Sequence, residues 1–171
     1  MKAGNGKRLF INDVATRDGF QMESRFIPTD DKIALIDRLS TLGYAKIEVT
    51  SFTSAKAIPA LRDGEEVMQR ITRRPGVVYT ALVPNLRGAE RALESRIGEF
   101  NIVMSVSETH NLSNLRMTRE QSFAQLTEVI ALARQAGVPV NVSLSCVFGC
   151  PMEGEVPLAT VLEWIDRFAA L

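Results

Sequence analysis

Arg17 and Asp18 stand side by side in the run Asp13-Val14-Ala15-Thr16-Arg17-Asp18-Gly19-Phe20-Gln21, and no other pair in the chain offers as much chemistry. An aspartate is a hard oxygen ligand suited to Mg²⁺ or Mn²⁺, and an adjacent guanidinium can hold a carboxylate or stabilise an enolate oxygen in a dry pocket. The same two residues also read as a turn salt bridge, with Asp18-Gly19 supplying the turn. Spacing alone does not separate the two readings. Glu48 sits inside the apolar run Ala45 to Val49, where a carboxylate is costly unless paired, and Arg17 is a suitable partner. An internal ion pair would at the same time fix the orientation of the arginine.

The remaining reactive side chains are sparse. His110 is the only histidine, so a His-rich metal site is excluded and a loop hydrogen bond is expected. Cys146 and Cys150 are four apart, which misses the C-x-x-C spacing of redox and zinc motifs and suggests buried thiols at a strand end. Neither a G-x-G-x-x-G nor a P-loop pattern is present.

These residues must be positioned by an alternation of short β-rich runs and helical patterns. Strands are expected over Leu9 to Val14, Ala45 to Val49, Val77 to Val83, Phe100 to Val106 and Val138 to Leu144. Helices are expected over Asp30 to Leu42, Gly64 to Thr72, Leu86 to Ile97, Thr118 to Ala136 and Leu158 to Ala170, with Thr118 and Gln121 spaced as a capping box. Strict βα alternation with apolar strands implies a parallel sheet, either an open doubly wound sheet or part of a (β/α)8 barrel. In both, function collects at the C-terminal strand ends. Those ends are polar here: Thr16 to Gln21, Glu48 to Phe52, Pro84-Asn85, Ser105 to Asn111 and Ser143 to Cys146. The opposite ends, such as Gly43-Tyr44 and Gly137-Val138, are not.

Composition bounds the answer further. The 171 residues carry 20 Lys+Arg against 20 Asp+Glu, with 46% hydrophobic residues, which excludes a disordered or low-complexity chain and gives no charge excess for nucleic acid or an acidic membrane. The Arg73-Arg74 cluster reads as solvated surface. Two cysteines and a polar N-terminus without a leader indicate a reducing, cytoplasmic setting, and no run of apolar residues is long enough for a membrane span. With no linker-like stretch, residues 1 to 171 read as one domain.

The first motif, together with Ile47 to Phe52, Val83 to Gly88, Ser105 to Asn111 and Ser145 to Gly154, resembles the hydroxymethylglutaryl-CoA lyase family of the DRE-TIM metallolyase superfamily. The resemblance runs from about Leu9 to the last residue. It implies a (β/α)8 barrel of which this chain supplies the first five βα units, truncated at the C-terminus. It also implies an acyl-CoA substrate, a divalent cation (Mg²⁺ or Mn²⁺), a homodimer, and retro-aldol cleavage of 3-hydroxy-3-methylglutaryl-CoA to acetyl-CoA and acetoacetate. By the same resemblance Asp18 is the metal ligand, Arg17 and Glu48 are catalytic, with Glu48 supporting the arginine, and Arg17, Gln21 and Ser51 contact substrate. Ala15-Thr16 and Phe20 stand where the family carries Gly-Pro and Leu. The family's His-x-His pair, later Asn and later catalytic Cys have no counterpart in these residues, so the isolated chain is not expected to complete the site. Related acyl-CoA lyases, such as one acting on citramalyl-CoA, and a non-catalytic truncated paralogue are the alternatives.

Overall fold

A computed structural model describes residues 9–171. Five parallel strands, β1 (Asn12–Asp13), β2 (Lys46–Ser51), β3 (Val78–Leu82), β4 (Glu99–Ser105) and β5 (Val140–Ser145), lie in the consecutive order β1-β2-β3-β4-β5. A doubly wound sheet would reverse its strand order at a switch point; an order that never reverses, joined by right-handed crossovers, sends every connecting helix to one face and curves toward a barrel. The architecture is therefore half of a (β/α)8 barrel, as the resemblance implies, and the open sheet is excluded.

Six helices accompany the strands: α1 (Thr29–Leu39), α2 (Gly64–Arg70), α3 (Leu86–Glu94), α4 (Glu108–Leu115), α5 (Arg119–Gln135) and α6 (Leu158–Ala169). Their apolar residues meet one side of the strands in a single core, with Ile36, Met68, Ala92, Val129 and Trp164 packed against Ile47, Tyr79, Phe100 and Ile102. Phe123 of α5 joins α6 to this layer, with ring centroids 5.8 Å from Trp164 and 4.9 Å from Phe168. The capping box at the start of α5 is formed: the Thr118 hydroxyl accepts from the Gln121 amide and the Gln121 side chain accepts from the Thr118 amide.

Three expectations are corrected. The first strand is two residues long, Asn12 and Asp13 registering with Lys46 and Ile47, while the side chains of Leu9, Phe10 and Ile11 lie exposed. The polar stretch after β4 is not all loop but contains α4. Arg73 is not solvated: it is half-buried, its guanidinium lies over the Tyr79 ring at 5.2 Å, and it donates to the Met68 and Ser95 carbonyls.

β2 carries a bulge between Glu48 and Thr50, where its register with β3 shifts. The irregularity turns both Val49 and Thr50 toward the helices. Val49 enters the core, and Thr50 approaches Gly64 so closely that a Cβ there would lie 2.6 Å from its Oγ1. We expect Gly64→Ala to destabilise the fold by about 1–3 kcal/mol through this overlap. Urea denaturation should show the loss, and adding Thr50→Ala should recover part of it; no recovery would mean that the contact is not the cause.

Candidate functional site

The residues on the inner side of the strands are smaller and more polar than those of the core. Glu48, Leu82, Asn101, Val103, Ser143 and Ser145 face a cavity of about 800 Å³ that opens at the C-terminal strand ends. Registered partners share a face across the sheet: Leu82 opposes Asn101, and Val103 opposes Ser143. Deeper along the same face, Lys46 reaches across β3 to Glu99 at 2.5 Å, which neutralises two charges inside the sheet.

After β1 the chain makes a five-residue π-turn, Ala15–Gly19, that carries Arg17 and Asp18 into the cavity mouth. The buried Thr16 pins this turn to β2, its hydroxyl donating to the Glu48 carbonyl at 2.9 Å. Arg17 then spans two carboxylates: Nη2 donates to Glu48 Oε2 at 3.0 Å and Nη1 to Asp18 Oδ1 at 2.7 Å. Side-chain exposure falls from 62% at Asp18 through 20% at Arg17 to 5% at Glu48. The turn salt bridge of the Arg17-Asp18 pair is therefore formed at the surface, with the internal ion pair of Glu48 and Arg17 beneath it.

The unpaired atoms are the most informative part of the geometry. Among the described residues, the buried side-chain nitrogens and oxygens without a hydrogen-bond partner are Arg17 Nε, Gln21 Oε1, Glu48 Oε1 and His110 Nδ1. Native interiors leave few such groups, because each forgoes solvation without recovering it. Three of these four belong to residues that line this cavity. A ligand with both donors and acceptors would satisfy them.

The sequence-based candidates do not all reach the cavity. Arg17, Asp18, Gln21 and Glu48 converge on it, whereas Ser51 is buried in the wall with its hydroxyl donating to Thr53 Oγ1 at 2.8 Å. Thr53 lines the cavity instead. Asn85, Asn114 and Gln125 also line it. Asn85 is fixed as the N-cap of α3, accepting from Gly88 N at 2.9 Å, and Gln125 donates to the Pro84 carbonyl at 2.8 Å. Asn85 was legible as a polar strand end; Asn114 and Gln125 lie on helices, where only the folded geometry singles them out.

Two supports hold the rim. Asn111 is fully buried and joins three elements, accepting from Ser105 N at 2.9 Å and donating to Met117 O and Ser122 Oγ at 2.8 Å each. On the other side, Lys32 of α1 lies 3% exposed, 2.6 Å from Asp63 and 2.7 Å from the Ala60 carbonyl, while Thr29 donates to the other Asp63 oxygen. Phe26 is covered by Lys32 at 4.3 Å and Arg62 at 3.6 Å from its ring centroid. This cluster ties the loop that follows Gln21 to the loop that follows β2.

No group of three His, Cys, Asp or Glu among the described residues could by itself enclose a metal ion. The exposed Asp18 carboxylate and the unpaired Gln21 oxygen are nevertheless hard donors on one wall, and fit one side of a site for a divalent cation.

Comparison with known proteins agrees with the architecture. Hydroxymethylglutaryl-CoA lyase of Bacillus subtilis is 46% identical over 157 residues, covering 92% of this chain and 52% of that protein. The crystal structure of a B. subtilis HMG-CoA lyase superposes with a TM-score of 0.93 at 44% identity, covering 96% of this chain and 55% of its own. An HMG-CoA lyase from A. baumannii, solved in complex with coenzyme A and 3-methylmalate, gives a TM-score of 0.90 at 46% identity over 95% of this chain and 53% of its own. The chain spans about half the length of the curated relatives it matches. No helix among the described residues is long and apolar enough to cross a membrane. The HMGL-like family model matches residues 8–171, nearly the whole sequence and every element described above, and the chain belongs to that family.

Proposed function

We propose that this chain carries the enolate-stabilising part of a carbon–carbon lyase site acting on 3-hydroxy-3-methylglutaryl-CoA or a closely related 3-hydroxyacyl-CoA. The observation that carries this reading is the guanidinium of Arg17, braced by buried Glu48 and left with an unpaired Nε beside a cavity. In such a retro-aldol step the 3-hydroxyl loses its proton and becomes a ketone, and the C2–C3 bond breaks. Its electron pair moves onto the thioester as an enolate, and a proton returned to C2 gives acetyl-CoA beside acetoacetate. Negative charge thus grows on the thioester oxygen, where a pre-oriented guanidinium gives most help because it need not reorganise. Glu48 supplies that orientation, and Gln21 offers a carbonyl oxygen to substrate hydroxyl or amide groups. Ser51 acts through Thr53, shaping the wall.

Asp18 would hold a divalent cation, Mg²⁺ or Mn²⁺, with Gln21 beside it; when bound, such an ion polarises substrate oxygens as a Lewis acid. Residues 1–171 serve in this reading as one unit, the N-terminal portion of a barrel. Two free thiols fit a reducing cytoplasmic setting, and a homodimer follows from the family resemblance.

The test replaces the matching half of the B. subtilis relative by residues 9–171 and measures acetoacetate release from 3-hydroxy-3-methylglutaryl-CoA with Mg²⁺. Turnover that Asp18→Asn abolishes is expected. A folded graft without turnover on that thioester or on citramalyl-CoA would support the non-catalytic reading, and turnover indifferent to Asp18→Asn would remove the metal assignment.

A further inference from the structure

Among the described residues, the turn that carries Arg17 is tied to another element by two side-chain hydrogen bonds, and both end on Glu48. Arg17 Nη2 donates to the Glu48 carboxylate at 3.0 Å, and the Thr16 hydroxyl donates to the Glu48 carbonyl at 2.9 Å. The other hydrogen bonds of the turn are local. Arg17 N and Asp18 N donate to the Val14 carbonyl at 3.2 and 2.8 Å, Ala15 N to Asp13 Oδ1 at 3.1 Å, and Phe20 N to the Ala15 and Arg17 carbonyls. Thr16 is also the one buried residue of the five, 1% exposed.

The place of this bond in the sheet accounts for the hydroxyl. The ladder between β1 and β2 ends at the pair Asp13 and Ile47, whereas β2 runs on to Ser51. Glu48 therefore lies one residue past the last pairing and just before the bulge, and the chain leaving β1 meets its carbonyl through a side chain. A buried carbonyl without a donor is costly, and the branched Cβ of threonine restricts its hydroxyl to few orientations. The contacts close on themselves: Thr16 side chain to Glu48 backbone, Glu48 side chain to Arg17 side chain, and Arg17 backbone to Thr16. One residue of β2 thus fixes both where the arginine starts and where its guanidinium ends. A lone ion pair would not do so, because the arginine side chain has many rotamers and the 62% exposed Asp18 holds Nη1 from the solvent side at 2.7 Å. Without the Thr16 bond, the turn and the guanidinium are free to follow Asp18 outward.

We propose that Thr16 is the positioning residue of Arg17, its hydroxyl holding the turn on the Glu48 carbonyl so that the guanidinium stays on the Glu48 carboxylate with Nε free for substrate. The role rests on the reading of Arg17 as the group that meets the enolate oxygen. Thr16 does not itself line the cavity, so it acts through the arginine. A displaced guanidinium weakens the help given to the developing charge while the groups that bind the ground state stay in place, and the loss belongs to kcat.

Two measurements test this. In the ¹⁵N-labelled 171-residue chain, the Arg17 side-chain N–H signals, assigned by their absence in Arg17→Met, should exchange with water severalfold faster in Thr16→Val than in the wild type. Thr16→Ser, which keeps the hydroxyl, should stay close to the wild type. In the grafted lyase, Thr16→Val should lower kcat by about 10–10²-fold with little change in KM, and Thr16→Ser should recover most of the loss. On an Arg17→Met background the same Thr16→Val change should cost less than about twofold, because nothing remains for Thr16 to position. Circular dichroism checks the fold of each variant, and Thr16→Ala serves in place of Thr16→Val where the valine variant does not fold. Unaltered Arg17 exchange in the folded variant, or an equal kcat loss with and without Arg17, would overturn the proposal. A graft without turnover would count against the lyase reading alone, and the Arg17 exchange would still decide the role of Thr16.

Discussion

Arg17→Met, made in the grafted lyase described above, is expected to lower kcat by about 10²–10³-fold, the range seen when a single preorganised donor to a developing oxyanion is removed. The loss should fall on kcat more than on KM. An enolate oxygen exists only as the C–C bond breaks, so a group that meets it adds little to substrate binding. Arg17→Lys is expected to recover little of the loss. The observed arginine reaches two carboxylates 2.7 and 3.0 Å away through separate nitrogens while its Nε remains for a third partner, and a lysine is a single charged point without that fork. Glu48→Gln should be milder, since an amide oxygen can still accept from Nη2. Steady-state kinetics on the three variants decides the matter. A kcat for Arg17→Lys equal to that of wild type, or a loss confined to KM, would show that the guanidinium does not face the developing charge.

The largest effect on stability is expected at a distance from the reacting groups. Lys32→Met should cost about 3–5 kcal/mol, because it strands Asp63 in a place where its partner supplied the compensating charge. The ammonium also satisfies the Ala60 carbonyl and covers the Phe26 ring, so the loss extends to both loops at the rim. That is a large share of the stability of an ordinary domain, about 5–15 kcal/mol. The double variant Lys32→Met/Asp63→Leu should recover much of it, since replacing both charges leaves none unpaired. Urea denaturation of the single and double variants measures both terms; a single variant within about 1 kcal/mol of wild type would mean the pair is solvated in solution.

Much of this architecture was readable from the residues. Apolar runs of strand length separated by helical periodicities placed β2 to β5 and five of the six helices, and an isolated carboxylate in an apolar strand identified Glu48 and its partner Arg17. α4 escaped for a physical reason. Among its eight residues only Asn111 is buried, so there is no apolar stripe to detect, and its ends are set by side-chain and backbone details: Ser107 capping His110 N, and Arg116 at φ 59°. A serine before a glutamate in the first turn was the available signal, and it is a weak one. β1 was overestimated because hydrophobic residues at a sheet margin look like strand whether or not a neighbour completes their ladder. Within the site, sequence order could supply Arg17, Asp18, Gln21 and Glu48, but not Thr53 or Gln125, whose membership depends on how loops and helices fold over the strand ends.

The irregularity in β2 has a consequence for how this chain tolerates change in length. A strand assigns its residues to two faces by parity, odd to one side and even to the other, and the extra residue between Glu48 and Thr50 resets that parity once. Before it, the even positions 46 and 48 face inward; after it, the inward residue is the odd-numbered Ser51, registered with Leu82. Loss of the extra residue, Val49, would restore simple alternation and leave Thr50, Ser51 and the segment after them on the faces they now occupy, whereas loss of Ile47 would turn Glu48 to the opposite face and away from Arg17. The strand therefore behaves as a reading frame, in which single-residue insertions and deletions away from the bulge are more damaging than most substitutions and a compensating change must fall within the same six residues.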